Sequence, residues 1–360
     1  RLPTLDGTPG GEIDLEQLKT MVDRFLAAGF TYFDTAYVYG GGKSELAAKE
    51  ALVKRYPRDS YQFADKLPLW AVTSHDDLKG LFETSLERTG LDYFDFYLLH
   101  ALSEESYEKS EKYGAWDYIK EEKANGRIKH IVFSFHDSPE MLDSILTAHP
   151  EAEFVQLQIN YADWDNEVVQ ARRCYETARR HGKPVVIMEP VKGGSLANMR
   201  PQFKKYFEDA NPNASIASWA MRFAGSLDGV LTILSGMSSP QQMEDNIDTI
   251  KNFAPLTDGE RKVIAEAMEE IGRFPTVPCT ACRYCVENCP QKIDIPEVIR
   301  VLNDYQIYQN RFESGMAYGM VTEDCGKASE CIRCRTCEGH CPQHIEIMDT
   351  LEKAAKIFEA

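Results

Sequence analysis

Residues 128–147 are IKHIVFSFHDSPEMLDSILT and contain the pattern that recurs along most of this chain. The first part, residues 128–133, is a short run rich in β-branched and aromatic residues, which predicts a buried strand. Ser138 and Pro139 then begin a predicted helix, because serine caps helices well and proline fits their first turn. One strand followed by one helix is therefore the unit from which this part of the chain is built.

The same unit recurs between residues 12 and 250, where the sequence predicts seven strands and eight helices. The predicted strands are residues 31–35, 62–66, 94–99, 128–133, 154–158, 184–188 and 230–234. The predicted helices are residues 14–28, 43–55, 76–89, 115–125, 138–147, 165–181, 213–224 and 239–250. Strands and helices that alternate in this way form a parallel sheet with right-handed crossovers.

The helix predicted at residues 14–28 has no strand before it. We therefore expect a first strand upstream of Arg1 or at the very start of the chain. That strand would complete eight strand–helix units, so the predicted fold class is α/β, a (β/α)8 TIM barrel. An open, doubly wound sheet is the alternative, although no G-x-G-x-x-G motif follows the first predicted strand.

Eight of the ten cysteines fall in two copies of one spacing, C-x2-C-x2-C-x3-C-P. Three thiolates from such a run bind three corners of a cubane [4Fe–4S] cluster, and the fourth cysteine ligates the other cluster. The predicted ligands are Cys279, Cys282, Cys285 and Cys341 for the first cluster, and Cys331, Cys334, Cys337 and Cys289 for the second.

Zinc and disulfides are the alternative uses of these cysteines. Structural zinc sites take four ligands, usually from paired C-x2-C sequences, and disulfide frameworks belong to small secreted domains. Neither alternative explains a third cysteine in phase and a fourth before proline. We divide the chain into a barrel at residues 1–272 and a small, α-rich, ferredoxin-like domain at residues 273–360, which holds the two clusters.

Acidic residues outnumber basic ones, 57 to 40, which gives a formal net charge of −17. An acidic surface repels phosphate groups, so we expect neither nucleic acid nor a membrane as a partner. The sequence contains no apolar stretch long enough to cross a bilayer, and we expect no secretory signal peptide. Iron–sulfur clusters and reduced thiols then predict a cytoplasmic protein.

Polar residues lie at or just after the ends of three successive predicted strands, where barrel enzymes place their active sites. They are Asp34, Tyr39, Lys66 and His100. Tyr39 can donate a proton to a carbonyl oxygen, but the pKa of a free tyrosine is about 10. A nearby Lys66 would lower that pKa, and Asp34 would hold the lysine in place. His100 can orient the oxygen. Taken singly, Asp34 could be a helix cap, Lys66 an ordinary ion-pair partner and His100 a structural histidine.

Asp34-Thr35-Ala36 with Tyr39, then Ser44-Glu45, Lys66 and His100, resembles the catalytic tetrad of the aldo/keto reductases. With its cysteine runs, the whole chain resembles the iron–sulfur branch of that family. The resemblance implies a barrel oxidoreductase that reduces an aldehyde or ketone, or oxidises the matching alcohol, with NADPH or NADH. In that reaction Tyr39 would be the proton donor.

The resemblance also implies a set of cofactor-binding residues in the later part of the barrel. They are Ser134, Gln156, Asn160, Met188, Gly194, Leu196, Ser235, Gly236, Ser238, Gln242 and Asn246. The pattern departs from the family at Met188, where an aromatic residue commonly stacks on the nicotinamide. It departs again at residues 235–240, which contain no lysine or arginine to bind a 2′-phosphate, although a helix start there favours anions.

Three functions remain open at this point, because nicotinamide transfers electrons in pairs and each cluster transfers one. In the first, the barrel is a hydride reductase and the clusters are structural or regulatory. In the second, a flavin such as FMN occupies the barrel mouth and receives electrons through the clusters. In the third, the chain is an electron carrier or redox sensor on a non-catalytic barrel. An electron-transfer protein could dock on the basic residues Lys327, Arg333 and Arg335.

Overall fold

A computed structural model of the protein describes residues 2–7, 11–286 and 288–360. The chain divides into two compact units. The first unit is Arg1–Val191 with Ser218–Leu256, and the second is Lys192–Ala217 with Thr257–Ala360. The second unit thus contains residues 192–217, which the sequence-based division assigned to the barrel; the division at residue 272 stays a prediction.

The first unit contains one parallel sheet whose strands pair in chain order. The strands are β1 (Tyr32–Asp34), β2 (Gln62–Pro68), β3 (Phe94–Leu102), β4 (Ile128–Phe135), β5 (Val155–Gln158), β6 (Val185–Met188) and β7 (Val230–Ile233). All seven predicted strands are present, and every neighbouring pair is parallel. Consecutive parallel pairing through helical crossovers is the topology of a (β/α)8 barrel.

Fifteen α-helices are present in the described residues. They are α1 (Leu15–Ala27), α2 (Lys43–Ala48), α3 (His75–Thr89), α4 (Glu104–Tyr113), α5 (Ala115–Ala124), α6 (Pro139–Ala148), α7 (Ala171–Arg180), α8 (Pro201–Ala210), α9 (Ile216–Gly225), α10 (Pro240–Lys251), α11 (Asp258–Gly272), α12 (Ile295–Tyr308), α13 (Arg311–Val321), α14 (Thr336–His340) and α15 (Ile347–Phe358). A π-helical segment, Lys49–Val53, continues α2. Among these described segments, no helix combines the length and apolar character needed to cross a bilayer.

All eight helices predicted before residue 250 are present, but α4 and α8 were not predicted. The sequence of α4, EESYEKSEKY, is almost entirely polar and shows no apolar stripe. Its start is marked instead by Ser103, whose side chain takes part in a capping box with Ser106. A helix of this kind depends on its caps and its neighbours more than on its own periodicity.

The start of the described chain forms one short antiparallel contact, between Thr4 and Ile13. Leu2 and Pro3 lie in no strand. Arg1 lies outside the described residues, so the eighth strand expected there or upstream stays a prediction.

The second unit has its own apolar core, formed by residues of α12, α13 and α15. Ile295, Val298 and Leu302 on α12 are each at most 1% exposed, and Leu351 and Ala354 on α15 pack with them. Most of the cysteines of the two runs pack against this core from segments outside regular helices. The cysteine loops therefore pack against the apolar side chains of these helices.

Candidate active site and cluster cavities

The candidate active site lies next to an apolar layer of the sheet, two residues further along each strand. That layer contains Ala64, Leu98, Val132, Phe154 and Val186, with Tyr32 packed against it. Side chains two residues apart on a strand point to the same face. The residues two positions further along are Lys66, His100, Ser134, Gln156, Met188 and Asp34. The sheet therefore gathers these predicted site residues into one polar layer at the carboxyl ends of the strands.

Lys66 is the centre of this layer, and its side chain is fully buried. Its Nζ donates to Asp34 Oδ1 at 2.5 Å and to the carbonyl oxygen of Thr35 at 2.6 Å. Burial tends to lower the pKa of Lys66, but Asp34 and Tyr39 outweigh it and the pKa lies above its ordinary value. Lys66 is therefore a fixed positive charge, as a buried cation with a close carboxylate should be.

Tyr39 lies beside this charge, with Lys66 Nζ 4.8 Å from the centre of its ring. The residue is 40% exposed, so it is only partly shielded from solvent. Lys66 exerts the largest single influence on the pKa of Tyr39 and lowers it, as the sequence predicted. Burial, Asp34 and Glu189 together raise it more, so the net pKa lies above the ordinary tyrosine value. Tyr39 is therefore protonated at neutral pH.

His100 completes the group, with its ring 5.7 Å from that of Tyr39 and 5.0 Å from that of Trp70. Burial, aided by Lys66, lowers the pKa of His100 well below its ordinary value, so the ring is neutral at pH 7. Its Nδ1 atom is buried and has no hydrogen-bond partner among the described residues. An unpaired buried nitrogen costs stability, and such groups occur where a ligand can satisfy them.

A buried pair of acidic residues lies behind the site, and sequence reasoning did not find it. Asp65 Oδ1 accepts from the backbone N–H of Lys66 at 2.7 Å, and Glu45 Oε2 accepts from Arg88 at 2.9 Å. Burial, with Glu45 as the next cause, raises the pKa of Asp65 well above its ordinary value. Asp65 therefore holds its proton more tightly than a free aspartic acid does, and the ion pair of Lys66 is made with Asp34.

The predicted cofactor residues on β4 to β6 make contacts within the first unit. Ser134 Oγ accepts from the N–H of Ala101 at 2.8 Å, which fixes the residue after His100 in a left-handed conformation of φ 52°. Gln156 donates to Met188 Sδ at 3.4 Å, while its Oε1 atom is buried and has no partner in the part of the chain that the structure describes. The amide of Gln156 therefore keeps one free acceptor in the polar layer.

The side chain of Asn160 makes hydrogen bonds to the loop segments around it. Its Nδ2 donates to Asp163 and to the carbonyl oxygen of Glu189, and its Oδ1 accepts from the N–H groups of Ala162 and Asp163. These bonds tie the segment after β5 to the segment after β6. The side chain of Asn160 thus shapes the loops around the site.

The segment after β7 leads into α10, and three of its polar contacts are internal. Asn246 donates to Ser235 Oγ at 2.9 Å, and the N–H of Ser238 donates to Gln242 Oε1 at 2.8 Å. Ser239 caps the helix. The first turn of α10 therefore follows a fixed loop, and backbone N–H groups at such a helix start favour anions.

Gly194 and Leu196, the remaining predicted cofactor residues, belong to the second unit. Gly194 has a φ of 92°, and Leu196 is fully buried. They follow β6 in the chain, a few residues after Met188.

Two cavities in the second unit are lined by the cysteines of the two runs. One is lined by Cys289, Cys331, Cys334 and Cys337. The other is lined by Cys279, Cys282, Cys285 and Cys341. Each cavity is thus lined by three cysteines of one run and the last cysteine of the other. This arrangement fits two cubane clusters, in which each thiolate binds its own iron atom.

The two runs also share their backbone conformation. Ala281 and Arg283 have φ values of 51° and 65°, and the equivalent Arg333 and Arg335 have 54° and 64°. Left-handed conformations are costly for residues other than glycine, and they persist at sites that bind a ligand. Arg333 is also paired with Asp349 and Glu352 at 2.7 and 3.0 Å, so the predicted basic docking patch is partly neutralised.

Comparison with known proteins agrees with this architecture. The model of the aldo/keto reductase family matches residues 4–269, and a 4Fe-4S dicluster domain matches residues 278–346. Because the first match covers more than half of the chain, the protein belongs to the aldo/keto reductase family of oxidoreductases. Its C-terminal part is a 4Fe-4S dicluster domain.

Individual relatives are distant. The chain is 29% identical over 209 residues to "Probable aldo-keto reductase 1" of Glycine max, a match that spans 56% of each chain. It is 28% identical over 278 residues to "Aldo-keto reductase" of Mycolicibacterium vanbaalenii, covering 75% of this chain and 90% of that protein. A crystal structure of an aldo-keto reductase from Klebsiella pneumoniae in complex with NADPH is similar, with a TM-score of 0.55, 20% identity and coverage of 70% of this chain and 84% of that chain. Similarity at this identity shows a shared fold.

Proposed function

We propose that this protein reduces the carbonyl group of a small aldehyde or ketone, or oxidises the matching alcohol, with a nicotinamide cofactor. The observation that carries the proposal is the buried Lys66, bonded to Asp34 at 2.5 Å and lying 4.8 Å from the Tyr39 ring. Burying a full charge costs free energy even when the charge is paired, and buried charges with perturbed pKa values cluster at functional sites. Here the group beside the charge is a half-exposed tyrosine that can reach a substrate.

Each residue of the group has one role. Tyr39 holds the proton that the carbonyl oxygen needs as negative charge develops on it, and its raised pKa keeps that proton in place at neutral pH. Lys66 then stabilises the phenolate that proton donation leaves behind. The neutral His100 can donate a hydrogen bond to the same oxygen and orient it.

A nicotinamide cofactor supplies the hydride when it is bound. Gln156, with its unpaired Oε1, fits the amide side of such a group, and the N–H groups at the start of α10 fit its phosphates. Binding of NADPH by the similar protein from Klebsiella pneumoniae supports NADPH as the first candidate. The loop at residues 235–240 contains no lysine or arginine, so NADH has to be tested beside it.

The two cysteine-lined cavities support a second candidate, in which one-electron transfer through the clusters feeds a flavin at the barrel mouth. The absorption spectrum of anaerobically purified protein, taken before and after NADPH, separates the two candidates. Cluster absorption without flavin bands, unchanged by the nucleotide, favours hydride transfer that is independent of the clusters. Flavin bands, or bleaching by the nucleotide, favour the second candidate.

The direct test is Tyr39→Phe, which removes the hydroxyl and keeps the ring. We expect carbonyl reduction to fall about 10²- to 10⁴-fold, the usual contribution of general acid catalysis. Tyr175→Phe is the matched control, because it removes a hydroxyl that donates to the carbonyl oxygen of Asp228 on the surface. Cluster absorbance should be unchanged in both variants. Retained turnover in Tyr39→Phe would refute the assignment of the proton donor.

A further inference from the structure

Tyr39 lies in a loop of the first unit, residues 35–45, which joins β1 to the first turn of α2; we call it the Tyr39 loop. Its two ends are tied together, because Thr35 Oγ1 and Ser44 Oγ share a hydrogen bond of 2.8 Å. The carbonyl oxygen of Thr35 also accepts from Lys66 Nζ at 2.6 Å. The position of the Tyr39 phenol relative to Lys66 therefore depends on the contacts that fix the rest of this loop.

Three consecutive glycines follow Tyr39 and give the loop a backbone that other residues adopt only with strain. Gly40, Gly41 and Gly42 have φ values of 60°, 66° and 84°, all in the left-handed region. A Cβ atom built on Gly41 would meet no atom of the described residues within 4 Å, but one built on Gly42 would lie 2.9 Å from Arg88 Nη1. The backbone of the loop is thus in close contact with the guanidinium of Arg88.

Arg88, in the last turn of α3, contacts the Tyr39 loop on both sides of the phenol. Its Nη1 donates to the carbonyl oxygen of Tyr37 at 3.2 Å and to Glu45 Oε2 at 2.9 Å. Its guanidinium carbon lies 4.3 Å from the centre of the Tyr37 ring. The carboxylate of Glu45 is fully buried, so this ion pair is shielded from water and its geometry is fixed. One side chain therefore holds the residues that flank Tyr39.

Arginine suits this position by its shape as well as by its charge. Its planar guanidinium presents several N–H groups in a fixed geometry, whereas lysine presents one compact ammonium on a flexible stem. Arg88→Lys would therefore keep a positive charge beside Glu45 but lose the fixed geometry that reaches both Glu45 and the carbonyl oxygen of Tyr37. Charge balance and loop geometry can thus be separated by mutation.

We propose that Arg88 is a positioning residue for Tyr39. It acts by fixing the Tyr39 loop, so that the phenol keeps its place beside Lys66. The inference rests on the proposed function, because it takes Tyr39 as the proton donor. A proton donor must come within about 3 Å of the atom that it protonates, and a misplacement of about 1 Å can cost about 10²-fold in rate.

The first test is Arg88→Lys in the full-length protein with its clusters. We expect kcat for carbonyl reduction to fall about 10- to 10²-fold, with little change in the KM for the nucleotide. The same change is then made in the Tyr39→Phe background, where residual turnover is measured at high enzyme concentration. There it should alter kcat less than about twofold, because a residue that acts through the Tyr39 hydroxyl no longer has a donor to position.

The second test leaves Arg88 in place and compares Gly42→Ala with Gly41→Ala. Both variants force an alanine into a left-handed conformation, so they share the cost of backbone strain. Only Gly42→Ala presses a methyl group against the guanidinium, which makes Gly41→Ala the matched control. We expect kcat to be about tenfold lower in Gly42→Ala than in Gly41→Ala. Tryptophan fluorescence during urea unfolding checks that each variant is folded.

Several results would overturn the inference. If Arg88→Lys lowers kcat by the same factor with and without the Tyr39 hydroxyl, Arg88 has only a structural role. If Arg88→Lys turns over as the wild type does, or the two glycine variants lose activity equally, the loop does not need this contact and the proposed function still stands. If Tyr39→Phe itself retains turnover, the proposed function fails and the inference fails with it.

Discussion

The strand-end site of the first unit and the cysteine loops of the second unit are built in opposite ways. In the first, neighbouring strands place Asp34, Lys66 and His100 in one layer, and the buried charge of Lys66 is balanced by Asp34. In the second, Cys279 and Cys331 lie in irregular segments in which non-glycine residues adopt left-handed conformations. Strand pairing and an internal ion pair organise the first site, whereas the second contains strained loops of the kind that persist where a bound ligand offsets the strain.

The largest effect should come from changing cysteines in pairs, which tests how the two runs share their clusters. Cys289 and Cys331 line the same cavity, so Cys289→Ala with Cys331→Ala should remove one cluster and about half of the iron. Cys279 and Cys289 belong to one run but line different cavities. Changing that pair should remove nearly all of the iron.

Iron content per chain, measured after anaerobic purification, separates the two outcomes. The single variant Cys331→Ala provides the baseline for loss of one cluster. If the pair Cys279 and Cys289 costs only half of the iron, each run ligates its own cluster and the crossed assignment is wrong.

The next effect concerns the strand-end site, which should be sensitive to its internal charge balance. Lys66→Met leaves the carboxylate of Asp34 buried without its partner, and breaking a buried pair in this way costs about 3–5 kcal/mol. The double variant with Asp34→Asn should recover much of that loss. All four tryptophans, Trp70, Trp116, Trp164 and Trp219, lie in the first unit, so tryptophan fluorescence during urea unfolding follows this unit.

Cluster absorbance in the same experiment follows the second unit and serves as the internal control. An unchanged unfolding midpoint in Lys66→Met would mean that the site is not organised by this pair. Loss of cluster absorbance in the folded variant would mean that the two units depend on each other.

The smallest effect should be in the pH dependence of carbonyl reduction. The protonated form of Tyr39 is the active one, and its pKa is raised, so the rate should fall only as pH rises above about 10. The pKa of His100 lies below about 6.5, the ordinary pKa of histidine, so its ring is neutral throughout the neutral pH range. A plateau in kcat across the neutral range, at saturating cofactor, is therefore expected. A decline between about pH 7 and 8 would contradict a Tyr39 that keeps its proton and a His100 that is already neutral.

The strands were predictable because each is a short apolar run between turn residues, and this local signal survives in the fold. The polar helix α4 was not predictable, since its ten residues contain no apolar stripe and only its capping residues indicate where it begins and ends. The polar layer was also predictable, since Asp34, Lys66 and His100 stand at strand ends in the sequence. The raised pKa of Asp65 beside Glu45 was not predictable, because it depends on burial and on contacts between different elements.

The sequence by itself determined the alternating strands and helices, the two cysteine runs and the polar residues at the strand ends. These features depend on spacing within a short stretch of chain, where side-chain period and loop length decide the outcome. Only the tertiary structure decided that the pKa of Tyr39 is raised despite the Lys66 cation, and that Arg88 bonds to residues on both sides of Tyr39. Both depend on burial and on contacts between distant parts of the chain, which no local pattern encodes.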